Sequence, residues 1–194
     1  AQHNINYKDL LKSFNKTYLQ EVPIYSAVKV NGKKLYEYAR ENRSVELPKK
    51  EVTIEKIELL DSTSDSFKFK CLVSKGTYIR SLIRDMGISV NEYFTMNSLI
   101  RTKQGRFSIN DAYSLDDIRE GKFTILKIED VLDYESITLD GTLLKKISNG
   151  VKIKDIWNIK DRVIFKDCDG KLLVIYKKDG VNLKIDKMIY NYFI

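Results

Sequence analysis

Cysteine and histidine are scarce in this chain, with two of the first and one of the second in 194 residues. Cys71 and Cys168 stand far apart with no C-x-x-C spacing, so a zinc site is not expected and no metal is assigned. Two lone thiols suit a reducing compartment. His3 lies at the N-terminus, where chains fray, and is not read as a catalytic base. No run approaches the roughly 18 apolar residues that a membrane span needs. The opening AQHNINYKDL has neither the basic nor the apolar region of a secretory signal. Internal repeats and low-complexity linkers are also lacking. The expectation is a cytoplasmic protein that does not engage a membrane.

Positive charge is what the chain does carry: a formal net charge of +7 and a pI near 9.2. That balance favours an anionic partner such as nucleic acid, provided the charge is clustered. An apolar share of 43% is ordinary for a chain that forms a packed core. The length fits one medium domain, or one domain with a small appendage.

Tyr7, Leu10, Leu11 and Phe14 recur at helical spacing, with Asn6 as the N-cap. IYSAVKV after Pro23 reads as extended, Asn31-Gly32 as a turn, and Leu35 to about Asn42 as a short helix. VTIEKIELL and FKFKCLV both alternate and predict a hairpin, with Cys71 a buried thiol inside the second strand. YIRSLIRDMG predicts an amphipathic helix capped by Thr77 and ending at Gly87. Phe94 to Phe107 reads as extended, and Ser114 opens a short helix. Near Lys127 the pattern weakens and a boundary is expected, giving domains 1–126 and 127–194. Beyond it come a helix near Thr142 to Ser148, a hairpin through Asp169-Gly170 and a strand from Asn182 to Ile189. Trp157 is assigned to packing. The class is α+β, ending in a small β-rich module.

Two stretches could carry chemistry. In SKGTYIR, Ser74 to Arg80, a glycine turn leads into a helix whose first N–H groups face outward, flanked by Lys75 and Arg80. This is either an anion site or an ordinary strand-to-helix corner with solvated charges. In PIYSAVKVNGKKLYEYAR, Lys29, Lys33, Lys34 and Arg40 interleave with Tyr25, Tyr36 and Tyr38. Cations meet phosphates while tyrosine faces stack unpaired bases, the combination of an RNA-reading surface. The bland alternative is an amphipathic hairpin and helix with its tyrosines packed inward.

Together these stretches, followed by SLIRTKQGRFSI, resemble in order and spacing the TruB family of bacterial tRNA pseudouridine synthases. The resemblance runs from about Gln20 to Ile109. It continues more loosely through SLDDI and LLKKISNGVKI, the latter similar to a PUA-like RNA-binding module of Gram-positive members. It implies part of a pseudouridine synthase sheet, mixed or antiparallel, with flanking helices. It implies isomerisation of the T-loop uridine (position 55) of tRNA, with no cofactor, by base flipping and attack of an aspartate. Arg80 is then the partner of that aspartate, Leu99 packs on the target base, and Tyr78 is a further catalytic candidate. Residues 24–50 correspond to the family's thumb over the T-stem loop. RNA contacts are expected from Tyr25, Lys29, Lys33, Lys34, Arg40, Lys75 and Arg101.

The departures from the family pattern matter as much. The G-x-LDP-x-A-x-G stretch that holds the catalytic aspartate does not occur between Ala1 and Ile194. Asp9, Asp61, Asp65 and Asp85 sit in the wrong contexts, Asp85 being read as a surface or helix-end partner of Arg84. No nucleophile is assigned. Ile100 stands where the family's LRRT has its first arginine, and Arg101 remains. The resemblance thus implies a C-terminal part of a synthase that binds tRNA but is inactive alone. With a strand such as FKFKCLV left as an open edge, the truncated sheet is expected either to fold only partly, to self-associate or to depend on a partner. The rival readings are a non-catalytic RNA clamp on the same half-fold and part of a guide-RNA synthase of the dyskerin type.

Overall fold

Asn6 starts the first helix as expected: its side-chain oxygen accepts the Asp9 backbone N–H at 3.2 Å. The computed structural model describes residues 5–190, so His3 lies outside the described residues. Two units emerge, Ala1–Ile109 and Asn110–Ile194. The expected boundary at 126/127 falls inside the second unit.

The first unit runs α1 (Tyr7–Ser13), β1 (Thr17–Glu21), β2 (Lys29–Val30), β3 (Lys33–Lys34), α2 (Leu35–Arg40), β4 (Lys49–Ser62), β5 (Phe67–Val73), α3 (Ile79–Ser89), β6 (Lys103–Gln104) and β7 (Phe107–Ser108). Strands β1, β4 and β5 form an antiparallel sheet in that order. VTIEKIELL breaks its own alternation, because Ile54 and Ile57 are three apart. Register shifts between Ile54 and Lys56, and again between Leu59 and Asp61, absorb the extra residues. Ile57 and Leu59 thereby return to the face that Ile54 occupies. Against that face pack Leu10, Leu11 and Phe14 of the α1 segment and Leu82 and Met86 of α3. Leu82 and Met86 are fully buried, each stabilising the unit by about 1.5–3 kcal/mol. Leu19, Leu60 and Leu72 are exposed, and β5 is an edge strand.

Three expectations change here. IYSAVKV is mostly bends, and only Lys29–Val30 is strand, paired with Lys33–Lys34 across the Asn31-Gly32 turn. Both turn residues have positive φ, 51° and 80°, as a two-residue hairpin requires. Phe94 to Phe107 is irregular apart from the small β6–β7 hairpin, having no long partner strand. Helix α3 passes Gly87 and ends at Ser89. Its stop is Asn91 at φ 55°: Glu92 N–H reaches Gly87 O at 2.9 Å and Asn91 N–H reaches Ile88 O at 3.2 Å. Gly87 serves the close approach of the returning chain instead, since a Cβ there would lie 2.6 Å from Glu92 O. Cys71 is half-buried, one step short of the buried thiol expected, because β5 lies at the sheet edge.

The second unit comprises α4 (Leu115–Arg119), α5 (Ile128–Val131), β8 (Glu135–Thr138), α6 (Gly141–Ser148), β9 (Ile153–Lys154), β10 (Arg162–Lys166), β11 (Leu172–Asp179) and β12 (Asn182–Met188). Ser114 and Asp117 form the capping box of α4. The sheet order is β8-β10-β11-β12-β9, with β8 parallel to β10 and the remainder antiparallel. One face carries Val163, Phe165, Leu173, Tyr176 and Leu183 with Ile147 of α6. Trp157 packs beside Phe165 at 5.3 Å, the packing role expected of it. Ile164, Leu172 and Ile175 form a smaller cluster with Leu132 and Tyr134.

Candidate functional site

Five residues, 74–78, turn the chain from β5 into α3. The Ser74 hydroxyl oxygen accepts the Thr53 N–H at 2.9 Å, and the Thr77 hydroxyl donates to Ser74 O at 2.9 Å. Thr77 is therefore not the N-cap: its hydroxyl is committed to the turn behind it. Tyr78 occupies the cap position without a side-chain capping bond. Its backbone N–H is satisfied from another element, by Gln20 Oε1 of β1 at 2.8 Å.

Gly76 is required by its backbone conformation, since the Lys50 side-chain end beside it can move aside. Its φ of +90° is one that L side chains rarely adopt, and a Cβ would stand 2.1 Å from Lys50 Nζ. The Lys50 side chain thus lies across the turn and adds a cation beside Lys75. Sequence reasoning missed Lys50, having started the strand at Val52. The signal available was alternation carried two residues back, since Lys50 shares a face with Val52 and Ile54. Gln20 is its cross-strand partner.

Arg80 lies in the first turn of α3, exposed, with Nη2 donating to Tyr25 O at 2.8 Å. That bond brings the helix and the 24–50 segment together. Among the described residues Arg80 makes no ion pair. One helical turn on, Arg84 contrasts with it: Nη1 lies 2.9 Å from Glu21 Oε1 and Nη2 2.8 Å from Asp85 Oδ1. Asp85 is thus the partner of Arg84 that the sequence suggested. It also accepts from the Tyr18 hydroxyl at 3.2 Å. Burial is the main cause that pushes the Tyr18 hydroxyl up to about 12, so it stays protonated.

In the 24–50 segment the tyrosine faces are not free as expected. Lys34 and Arg40 lie over the Tyr36 ring at 5.4 and 5.2 Å, and Lys33 over Tyr38 at 5.3 Å. Arg40 and Tyr36 stand four apart on α2, where helical neighbours meet. Tyr38 donates to Val30 O at 3.1 Å. Lys33 also bonds Glu41, which holds that carboxyl below its usual range. Tyr25 differs, at 59% exposed. Lys29, Lys50 and Lys75 make no ion pair among the described residues and are exposed.

Leu99, 54% exposed, lies in the irregular stretch after α3. Arg101 donates to Gln104 in its own hairpin. No hydrogen bond or ring contact joins either to Arg80, so the structure does not assemble them with the turn. One hollow lies against α1 and another between α2 and residues 44–49, and neither includes Arg80. Arg80 itself is exposed. No group of three or more metal-ligating side chains occurs among the described residues. Among the described residues no helix is long and apolar enough to cross a membrane.

The charge is clustered. Of the 34 Lys and Arg, 19 lie in residues 1–109 and 15 in 110–194, while the 27 Asp and Glu divide 12 and 15. The whole excess of +7 belongs to the first unit, and the second is balanced.

Comparison with known proteins agrees with this arrangement. The family model described as TruB family pseudouridylate synthase (N terminal domain) matches residues 2–79, the stretch up to the residue before Arg80. A tRNA pseudouridine synthase B of Limosilactobacillus reuteri is 38% identical over 186 residues, covering 89% of this chain and 62% of the relative. Its counterpart in Caldanaerobacter subterraneus is 38% identical over 160 residues, covering 81% and 55%. A chain in the crystal structure of a Cbf5-Nop10-Gar1 complex superposes with a TM-score of 0.62 over 94% of this chain and 61% of that one. At 19% identity that likeness shows the fold alone. The chain thus spans 55–62% of the length of these two curated relatives. In sequence the chain is thus similar to the TruB family of pseudouridylate synthases, through the family model over residues 2–79 and through both relatives.

Proposed function

We propose that this chain is part of a tRNA pseudouridine synthase that isomerises the T-loop uridine at position 55. The single observation that carries the reading is Arg80, an exposed guanidinium with no carboxylate partner among the described residues, while Arg84 on the same helix has two. A planar guanidinium holds a carboxylate ionised and oriented. In the family's reaction an aspartate attacks the flipped nucleotide, and the uracil is detached at nitrogen and rejoined to the ribose through carbon. Arg80 is assigned to that aspartate. Leu99 is assigned to packing on the target base, and Tyr78 is a further catalytic candidate. Lys29, Lys33, Lys34, Arg40, Lys75 and Arg101 would meet phosphates, Tyr25 would offer an open stacking face, and the cell compartment is the cytoplasm. The chemistry calls for no cofactor.

The test is tritium release from tRNA labelled at uridine C5, using the protein as expressed from its own gene. Arg80→Ala should lower turnover at least about a hundredfold, the scale of a transition-state contact. Its tRNA affinity should change only a few fold. Equal losses in rate and affinity would contradict the pairing role. The 194 residues alone should bind tRNA without releasing tritium. RNA binding without turnover by the whole gene product would instead support a non-catalytic clamp.

A further inference from the structure

Gln20 is 1% exposed, and both ends of its amide are engaged. The direction of each bond follows from one fact. The backbone N–H of Tyr78 can only donate, so the amide atom 2.8 Å from it is the oxygen. The amide nitrogen therefore faces the Tyr18 hydroxyl, 2.7 Å away, and donates to it. With its oxygen accepting, that hydroxyl spends its hydrogen on Asp85 Oδ2 at 3.2 Å. Asp85 Oδ1 in turn accepts from Arg84 Nε at 3.0 Å and Nη2 at 2.8 Å. One line of bonds runs from the start of α3, through β1, to the middle of α3.

A second tie lies on the same helix face, where the Ser81 hydroxyl donates to Glu21 O at 2.8 Å. Gln20 and Glu21, the last two residues of β1, thus hold Tyr78, Ser81 and Arg84 of the α3 segment. Arg80 lies off that clamped face and is left exposed, with its one bond to Tyr25 O. We propose that Gln20 is a positioning residue for Arg80. It fixes the first turn of α3 on β1, so that the guanidinium two residues beyond Tyr78 has one setting. The functional part of this inference rests on the reading of Arg80 above.

Two substitutions separate positioning from mere packing. Gln20→Met keeps the volume and removes both bonds. Hydrogen exchange at the Tyr78 amide should quicken by about tenfold or more, the effect of one lost buried hydrogen bond. The Arg80 Nε signal should broaden in NMR spectra of the 194-residue chain. In the gene product, kcat for pseudouridine formation should fall about tenfold with tRNA Kd within about twofold. Gln20→Glu keeps the acceptor for Tyr78 and loses the donor to Tyr18. The new carboxylate would share one hydroxyl with Asp85, so kcat should be low at pH 8 and recover toward pH 6, as the carboxyl gains a proton it can donate. The titratable groups near it are Tyr18 and Glu21 on β1, Arg84 and Asp85 on α3, and Lys50 opposite on β4.

Unchanged exchange and kcat in Gln20→Met would overturn the proposal, as would a loss in Gln20→Glu that ignores pH. Should Gln20→Met not fold, the pH response of Gln20→Glu decides. If the unsubstituted gene product makes no pseudouridine, the functional reading fails. The Tyr78 exchange and Arg80 Nε signals then decide by themselves whether Gln20 sets Arg80.

Discussion

The distribution of charge can be tested through salt. Of the cations on the 24–50 segment and the turn that lack a carboxylate partner among the described residues, six are candidates for phosphate contact: Lys29, Lys34, Arg40, Lys50, Lys75 and Arg80. If all six met phosphates, each would contribute roughly −0.7 to −0.9 to the slope of log K against log salt, or about −4 to −5 together. Raising salt from about 50 to 200 mM would then weaken binding to a T-arm RNA hairpin by roughly 300- to 2,000-fold. Lys50→Gln with Lys75→Gln keeps most of each stem and removes two charges. The slope should become shallower by about 1.5. Lys145→Gln with Lys146→Gln, in the charge-balanced second unit, should leave it unchanged. Fluorescence anisotropy at four or five salt concentrations measures all three slopes. An unchanged slope in the first pair, or an equal drop in the second, would refute the placement of the interface on the first unit.

Gly87→Ala lies inside a helix, where alanine ordinarily gains about 1 kcal/mol. Here the new Cβ would meet Glu92 O at 2.6 Å and Phe94 N at 3.0 Å, both backbone atoms with little room to yield. Overpacking of about 1–3 kcal/mol should therefore win, and a melting curve should show a lower Tm; a rise would remove the close-approach argument. Burial pushes the Cys71 thiol up, while Cys168 is exposed. A thiol reagent at pH 7.5 should modify Cys168 first and Cys71 much more slowly, and equal rates would show that β5 opens freely.

Short-range features were legible because short-range forces set them. The Asn6 cap, the Asn31-Gly32 turn and the Ser114 capping box each depend on bonds within three or four residues, and each formed where the residue types called for it. The α+β class, the β4–β5 hairpin and the β10–β11 hairpin followed from alternation and turn chemistry. The family resemblance was legible in the same way, as ordered local motifs around residues 23–40 and 74–80.

Where the reading failed, a contact other than the one the residue type suggested had intervened. Thr77 gave up the cap because Ser74 took its hydroxyl and Gln20, 58 residues earlier than Tyr78, took the helix N–H. Gly87 did not stop α3, because the returning chain at Glu92 needed its missing side chain more than the helix needed an end. Tyr36 and Tyr38 met cations of their own chain before any base could.

By itself the sequence determined the net charge, the two arginines four apart on one helix and the glycine at the turn. Only the tertiary structure decided that Glu21 would join Asp85 in pairing with Arg84 while Arg80 stayed open. The reason is geometric. Arg84 and the Glu21 carboxylate are brought within bonding distance when α3 packs on β1, and Arg80, off that face, meets only a carbonyl oxygen. Two identical side chains on one helix acquire different chemistry from the strand beneath them.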